Sequence, residues 1–255
     1  MTSQRVFTKE YPSASACARA VAHHAWLAEH APPLRQPAIA AVREHAIDFV
    51  FVDGRHAEVG DLPALAAALG WAHAAAWVSD LHRARLDTPH PIDLRGTYVM
   101  DDFVSPRLAA LKTRQLPEAA APAAERLLRA AATGPAAFYK DTNPRNILIT
   151  LTGLQVNVDV DDLTLAPFGY DLAKLIITLA MTHGQLPADV VTSALAAYND
   201  MLLRSSLAGV PLARLLDYAE LHHVFTAPYL GRGGYRYPWP QVRPTLPFHE
   251  QEDCS

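Results

Sequence analysis

The feature that most restricts this chain is a change of pattern between Gly54 and Gly60. Before it, short β-branched and aromatic runs flank one helical stretch. After it, apolar residues recur at helical spacing almost throughout, broken by a single β-rich island. Val6 to Tyr11 reads as a strand carrying Lys9. Residues 14–30 place alanines, Val21, Trp26 and Leu27 at helical spacing, and Pro32-Pro33 end that helix. Residues 38–42 and 47–52 read as two more strands, with Asp53-Gly54 as a turn signal. Beyond Gly60 a long helix is expected from Leu62 through Trp77 towards Leu86, with Asp61 as its N-cap. Further helices are expected near 104–114, 117–132, 170–182, 188–207 and 211–226. Residues 147–151 and 154–160 predict a hairpin through Thr152-Gly153, and the tail from Pro228 reads as irregular. The pattern predicts an α+β chain in two lobes, a small sheet lobe over residues 1–54 and a mostly helical lobe over 55–255. Ligands favour the cleft between such lobes.

Composition narrows the function classes. Charged residues are 19% of the 255 and the net charge is −4. That excludes a disordered polyelectrolyte and runs against a nucleic-acid binder, which shows a basic face. No apolar run reaches the roughly 20 residues of a membrane span. The richest stretch, residues 62–78, contains Trp71 and His73 and reads as a buried helix. The N-terminus is polar, without an apolar signal core. Cys17 and Cys254 have no metal-ligand spacing and are expected to be reduced thiols in a cytoplasmic protein. The expected partners are small molecules, and the chain is expected to be a monomer or homodimer. Of 22 basic residues only four are lysine, namely Lys9, Lys112, Lys140 and Lys174. A lysine in this chain therefore carries more information than usual.

The island from Phe138 to Asp171 concentrates Lys, Asp and Asn on loops beside short strands. Asp141 precedes Asn146 across a proline-containing loop, and Asp159 ends the second hairpin strand. A hairpin returns that strand end to the loop feeding its first strand. Asp141, Asn146 and Asp159 then share one locus, with hard oxygen atoms suited to Mg²⁺. No G-x-S-x-G elbow supports an esterase.

These elements resemble the catalytic core of the aminoglycoside phosphotransferase family, a branch of the protein-kinase-like fold. That family carries H-G-D-x-x-x-x-N, a hairpin, I-D-[FW]-x-D/E and then Y-D-L-A. Here they stand as YKDTNPRN, VDVDD and the intact YDLA of Tyr170 to Ala173. The match in order and spacing covers about 35 residues. The resemblance implies that Asp141 is the catalytic base, that Asn146 and Asp159 hold Mg²⁺ against the phosphates of ATP or GTP, and that Asp171 ties the helix start to the loop. It implies Lys9 as the lysine on the α- and β-phosphates, and Val52-Asp53-Gly54 as the hinge meeting the purine. Asp161 is open between a metal contact and a turn acid.

The sequence departs from the family in three places. Tyr139-Lys140 replaces His-Gly, and Lys140 is expected to face the γ-phosphate. Only eight residues precede Lys9, so the strands and glycine-rich loop that cover the phosphates are expected to be missing. Ala20 stands where a helix glutamate pairs the lysine. For the acceptor, residues 221–249 carry no acidic side chain but hold Arg232, Arg236, Arg243, Tyr229, Tyr235, Tyr237 and Trp239. Arg232, Tyr235 and Trp239 are the candidate substrate contacts, suited to a neutral or anionic ring-bearing compound such as a nucleoside or glycosylated antibiotic. The expected activity is an antibiotic-inactivating kinase. The alternatives are a nucleotide-binding pseudokinase and a metabolic sugar or amino-alcohol kinase.

Overall fold

The computed structural model describes residues 5–113 and 120–245. Its first unit is an antiparallel sheet in the order β1-β3-β2, made of β1 (Val6–Glu10), β2 (Ile39–Arg43) and β3 (Ala46–Val50), crossed by α1 (Ala14–His30). Ser13 starts α1 by accepting the Ala16 N–H at 3.1 Å, an ordinary N-cap contact. Cys17 and Ala20 of α1 close over Ile47 of β3 in a small core of their own.

Residues 51–54 lead from β3 into β4 (Arg55–His56), which pairs with Leu148 and Ile149 of the expected hairpin. Gly54 lies so close to that hairpin that a Cβ there would sit 2.7 Å from the Ile149 carbonyl oxygen. Only glycine lets the backbone through.

The second unit begins with α2 (Leu62–Ser79) and continues through β5 (His90–Pro91), β6 (Val99–Met100), α3 (Ser105–Thr113) and α4 (Ala120–Ala131). Next come β7 (Ala136–Tyr139), β8 (Ile147–Ile149), β9 (Gln155–Asn157) and β10 (Thr164–Pro167). It closes with α5 (Tyr170–His183), α6 (Ala188–Arg204), α7 (Leu212–Thr226) and the short α8 (Trp239–Val242). One continuous apolar core runs through α2, α5, α6 and α7 and under β7 and β10.

α2 has the length and hydropathy of a membrane span, but half of its apolar window is buried inside the protein. Gly70 sets its approach to α6, where an added Cβ would lie 2.5 Å from the Tyr198 carbonyl oxygen. Asp61 does not cap α2 through its side chain. Its carboxylate instead accepts the Glu58 N–H at 2.8 Å and both Arg55 amines, closing the tight turn that feeds the helix. The helix also stops earlier than the expected Leu86. Asp80 leaves helical geometry, and its carboxylate takes the Trp26 indole N–H and His90, both at 2.9 Å.

Five strands lie outside the expected set: the two-residue β4, β5 and β6, and the longer β7 and β10. β7 and β10 pair antiparallel, with Tyr139 opposite Thr164, and frame the loop that follows β7. The tail is more ordered than expected. Trp239 is 1% exposed on α8, packed in the main core, and its indole N–H donates to Glu220.

Candidate active site

The chain leaves β7 at Tyr139 and turns through Asp141 in left-handed geometry, with φ at 56°. Asp159, beyond β9, is also left-handed with φ at 61°. Such conformations cost a non-glycine residue roughly 1–3 kcal/mol and cluster at functional sites, and Asp is among the residues that tolerate them.

The turn at Asp141 is held by Asp171, which is fully buried in the first turn of α5. One of its oxygens accepts the Lys140 N–H at 3.2 Å and the other the Thr142 N–H at 2.9 Å. With the backbone pinned on both sides, the Asp141 side chain points outward and is 58% exposed. Its Oδ1 accepts the Tyr139 hydroxyl at 2.6 Å and faces the Lys174 ammonium at 3.1 Å. Burial pushes the Asp141 carboxyl up, but the Lys174 charge and the donors from Tyr139 and Lys174 outweigh it and hold the group below the usual carboxylate range.

The hairpin joins this loop where the Val158 N–H donates to the Asn146 carbonyl at 2.8 Å, which brings Asp159 back beside the loop. Asn146 is half-buried and Asp159 exposed. Lys9, from β1, bridges the carboxylates of Asp159 and Asp161, and the Tyr11 hydroxyl donates to Asp161 at 3.1 Å. Burial lowers the Lys9 pKa, yet the two carboxylates raise it overall, so the ammonium is charged. Asp161 thus does for Lys9 what a helix glutamate was expected to do. Ala20 lies in the small core instead.

Above this pair a cavity of about 350 Å³ opens between the sheet and the hairpin. Phe7, Phe49, Phe51, Val52, Leu148 and Val160 wall it, and Lys9, Arg145, Asp159 and Asp161 add its charged edge. The Val158–Asn146 bond joins the hairpin end to the loop that begins at Asp141, so the two left-handed turns flank one loop.

The model of the phosphotransferase enzyme family matches residues 3–224. The chain belongs to this family. It is a phosphotransferase acting on a hydroxyl acceptor, with an α+β, protein-kinase-like fold. Among solved structures it is similar to a macrolide 2′-phosphotransferase from Brachybacterium faecium, with TM-score 0.56 and 16% identity over 94% of this chain and 84% of that one. It is also similar to a choline kinase from Streptococcus pneumoniae, with TM-score 0.59 and 13% identity over 89% and 78%. An amicoumacin kinase solved with AMP-PNP and Ca²⁺ gives TM-score 0.56 and 12% identity over 88% and 77%. No curated protein matches.

Within this phosphotransferase, Lys9 pairs with Asp159 and Asp161, the Val158 N–H bonds the Asn146 carbonyl, and Asp171 holds the loop on both sides of Asp141. Val52 lines the cavity, whereas Asp53 is exposed and outside its lining. Two expectations need correction. Lys140 does not reach outward towards a phosphate. Its side chain is 2% exposed, its Nζ has no hydrogen-bond partner among the described residues, and burial lowers its pKa. Trp239 is a core residue, not a substrate contact, because helix α8 carries it inward. Tyr235 is also buried, but at the catalytic loop, where its hydroxyl accepts from Asn143 at 2.9 Å. Arg232 is exposed.

Lys174 and the Tyr139 hydroxyl are not among the sequence-predicted site residues. The available signal was lysine scarcity, since Lys174 is three residues beyond Asp171 and so shares its helix face. Among the described residues no three His, Cys, Asp or Glu side chains form a metal cluster. The exposed carboxylate of Asp159 and the amide of Asn146 still fit Mg²⁺, a hard cation that keeps several waters and shares phosphate oxygens.

Proposed function

We propose that the protein transfers the γ-phosphate of ATP or GTP to a hydroxyl of a small, neutral or anionic, ring-bearing compound, such as a nucleoside or a glycosylated antibiotic. The observation that carries this reading is the shared locus of two turns. Asp141 offers a carboxylate outward, and beside it Lys9 and Asp159 edge an apolar cavity of about 350 Å³. The cavity suits a nucleobase, and the Val52 backbone N–H and C=O, free of hydrogen bonds among the described residues, suit its polar edge. Lys9 faces the phosphates. Asn146 and Asp159 would hold Mg²⁺, which neutralises phosphate charge when bound.

Asp141 orients the acceptor hydroxyl and takes its proton. The acceptor oxygen bonds to the γ-phosphorus as the bond to the β-phosphate oxygen breaks, and a nucleoside diphosphate leaves. Residues 1–54 and 55–255 serve as the nucleotide lobe and the catalytic lobe. Cys17 is buried and forms no disulfide among the described residues, which fits the cytoplasmic reading, while Cys254 lies outside them.

The tail supports the acceptor class. Tyr235 ties it to the catalytic loop through Asn143, and it exposes Arg232, Arg236, Tyr229 and Tyr237 without a carboxylate among them. Polyamine acceptors would want acidic partners. The likeness to a choline kinase favours a second reading, a metabolic kinase for a sugar or amino-alcohol.

The test is phosphate transfer from ATP and from GTP across a panel of nucleosides, glycosylated antibiotics, sugars, amino-alcohols and aminoglycosides. Transfer to a nucleoside or glycosylated antibiotic is expected, with Asp141→Ala lowering kcat about 10²–10⁴-fold. Transfer only to amino-alcohols or sugars favours the metabolic reading. Nucleotide binding without transfer to any acceptor makes the protein a pseudokinase and overturns the proposal.

A further inference from the structure

Three of the four lysines in this chain, Lys9, Lys140 and Lys174, stand among the carboxylates of the site. Lys9 belongs to the phosphate side and Lys140 is sealed behind the loop. Lys174 has neither role. Its side chain is 12% exposed and its Nζ lies 3.1 Å from Asp141 Oδ1. The Tyr139 hydroxyl donates to that same oxygen at 2.6 Å. Two donors therefore converge on Oδ1, and among the described residues Oδ2 has no hydrogen-bond partner.

An exposed carboxylate rotates easily about its last bond, because that torsion is broad and two-fold. Fixing one oxygen from two directions removes that freedom and turns the other towards the cleft. The anchor is stiff. Asp171 holds the loop backbone, and Lys174 rises from the same face of α5 one turn later.

We propose that Lys174 is a positioning residue for phosphoryl transfer: with the Tyr139 hydroxyl it locks Oδ1 of Asp141 and so presents Oδ2 to the acceptor hydroxyl. The inference rests on the reading of Asp141 as the base. The proton of the acceptor goes to Oδ2, and Lys174 keeps its own proton throughout.

The charged and titratable groups around Asp141 identify Lys174 as the dominant one. Tyr139 comes from β7, Lys140 and Asp171 flank the turn, His222 comes from α7 and Tyr235 from the tail. His222 is buried with its pKa well below the ordinary value, and its Nε2 bonds the Tyr170 carbonyl at 2.8 Å, so it adds no charge near neutral pH. The phenols of Tyr139 and Tyr235 are pushed up by burial and are neutral as well.

The test compares Lys174→Met, Lys174→Arg and Asp141→Asn with the parent protein. Turnover is read both as transfer to the acceptor found in the panel and as nucleotide hydrolysis, with nucleotide affinity and thermal midpoint measured alongside. Lys174→Met should lower kcat about 10–150-fold, the effect of losing one charge-assisted contact, with nucleotide affinity changed less than about 2-fold. It should also move the acid limb of the kcat–pH profile to higher pH, because Asp141 loses its counter-charge. Lys174→Arg should restore most of kcat and return the limb. A lowered kcat with an unmoved acid limb would mean that Lys174 only packs α5, and would overturn the inference, as would wild-type kcat in Lys174→Met. Wild-type turnover in Asp141→Asn would instead remove the reading of Asp141 itself. Absence of turnover in the parent overturns both.

Discussion

Asp171 carries a demand that a different side chain meets poorly. Its two oxygens each accept a backbone N–H, from Lys140 and Thr142, on either side of a left-handed Asp141. Asparagine offers one acceptor oxygen and turns an N–H₂ group towards the second donor. Asp171→Asn should therefore cost about 2 kcal/mol, the scale of one buried charge-assisted hydrogen bond. For a chain of this size that lowers the thermal midpoint by roughly 4–8 °C. kcat should fall more than nucleotide affinity, because the cavity walls are untouched. Thermal melts and nucleotide titrations of the purified variant check both. At this scale Asp141, Asn146, Asp159 and Asp171 are legible in the chain, because a loop, a hairpin and a helix start bring them together within about 30 residues. The partners Tyr139, Asp161 and Lys174 are not. Their roles depend on rotamers and on how β1 and α5 pack, which no local spacing encodes. Lys140 misleads for the same reason: a lysine beside the outward-facing Asp141 reads as exposed, yet its side chain is buried.

Between elements, the closest joint in the protein is α2 on α6. A Cβ on Gly70 would strike the Tyr198 backbone, so Gly70→Ala should cost about 1–3 kcal/mol of overpacking, read as a lower thermal midpoint. Just beyond Gly70, the Tyr198 hydroxyl accepts the Gly169 N–H at 3.0 Å and hydrogen-bonds His73 Nδ1 at 2.7 Å. Gly169 opens α5, so this chain of contacts links the core to the helix that carries Asp171. His73 is fully buried against Phe138, and desolvation pushes its pKa down to about 3. The unfolded chain binds a proton near pH 6.5 and the folded one only near 3. The stabilisation is thus complete above pH 6.5 and lost as the pH falls towards 3, at up to about 1.4 kcal/mol per unit. His222 is depressed in the same sense and adds to the slope. His73→Phe should flatten stability against pH across that window, measured by denaturant melts at stepped pH. An unchanged slope would mean that His73 is already protonated in the fold. Helix α1 is readable to the residue because Ser13 and Pro32-Pro33 punctuate it. β7 and β10 are not, since four-residue strands buried in the core show no alternation.

Across the whole molecule, the chain near Gly54 runs against the hairpin backbone as it leaves the sheet. Cys17 and Ala20 of α1 close a small core with Ile47 of the sheet, while Trp26 and Leu27 of the same helix belong to the large core shared with the helices. Gly54→Ala should push residues 51–54 away from Ile149 and distort the cavity wall at Val52. Nucleotide affinity should weaken more than the thermal midpoint falls, as isothermal titration and melts of one sample would show. The tail was the least legible part. Tyr235 and Trp239 are buried while Tyr229 and Tyr237 are exposed, and composition does not foretell that division.

The scarcity of lysine has a practical consequence for labelling. Lys112, on α3, is exposed and remote from the catalytic loop in sequence, while Lys140 is sealed and Lys174 nearly so. Lys9 is the partly open amine at the cavity edge. An acyl-phosphate derivative of a nucleotide would therefore acylate Lys9 selectively, and free nucleotide would protect it. Lys112, modified only by indiscriminate reagents, would serve as the internal control, so a single peptide map could report occupancy of the cavity before any acceptor is known.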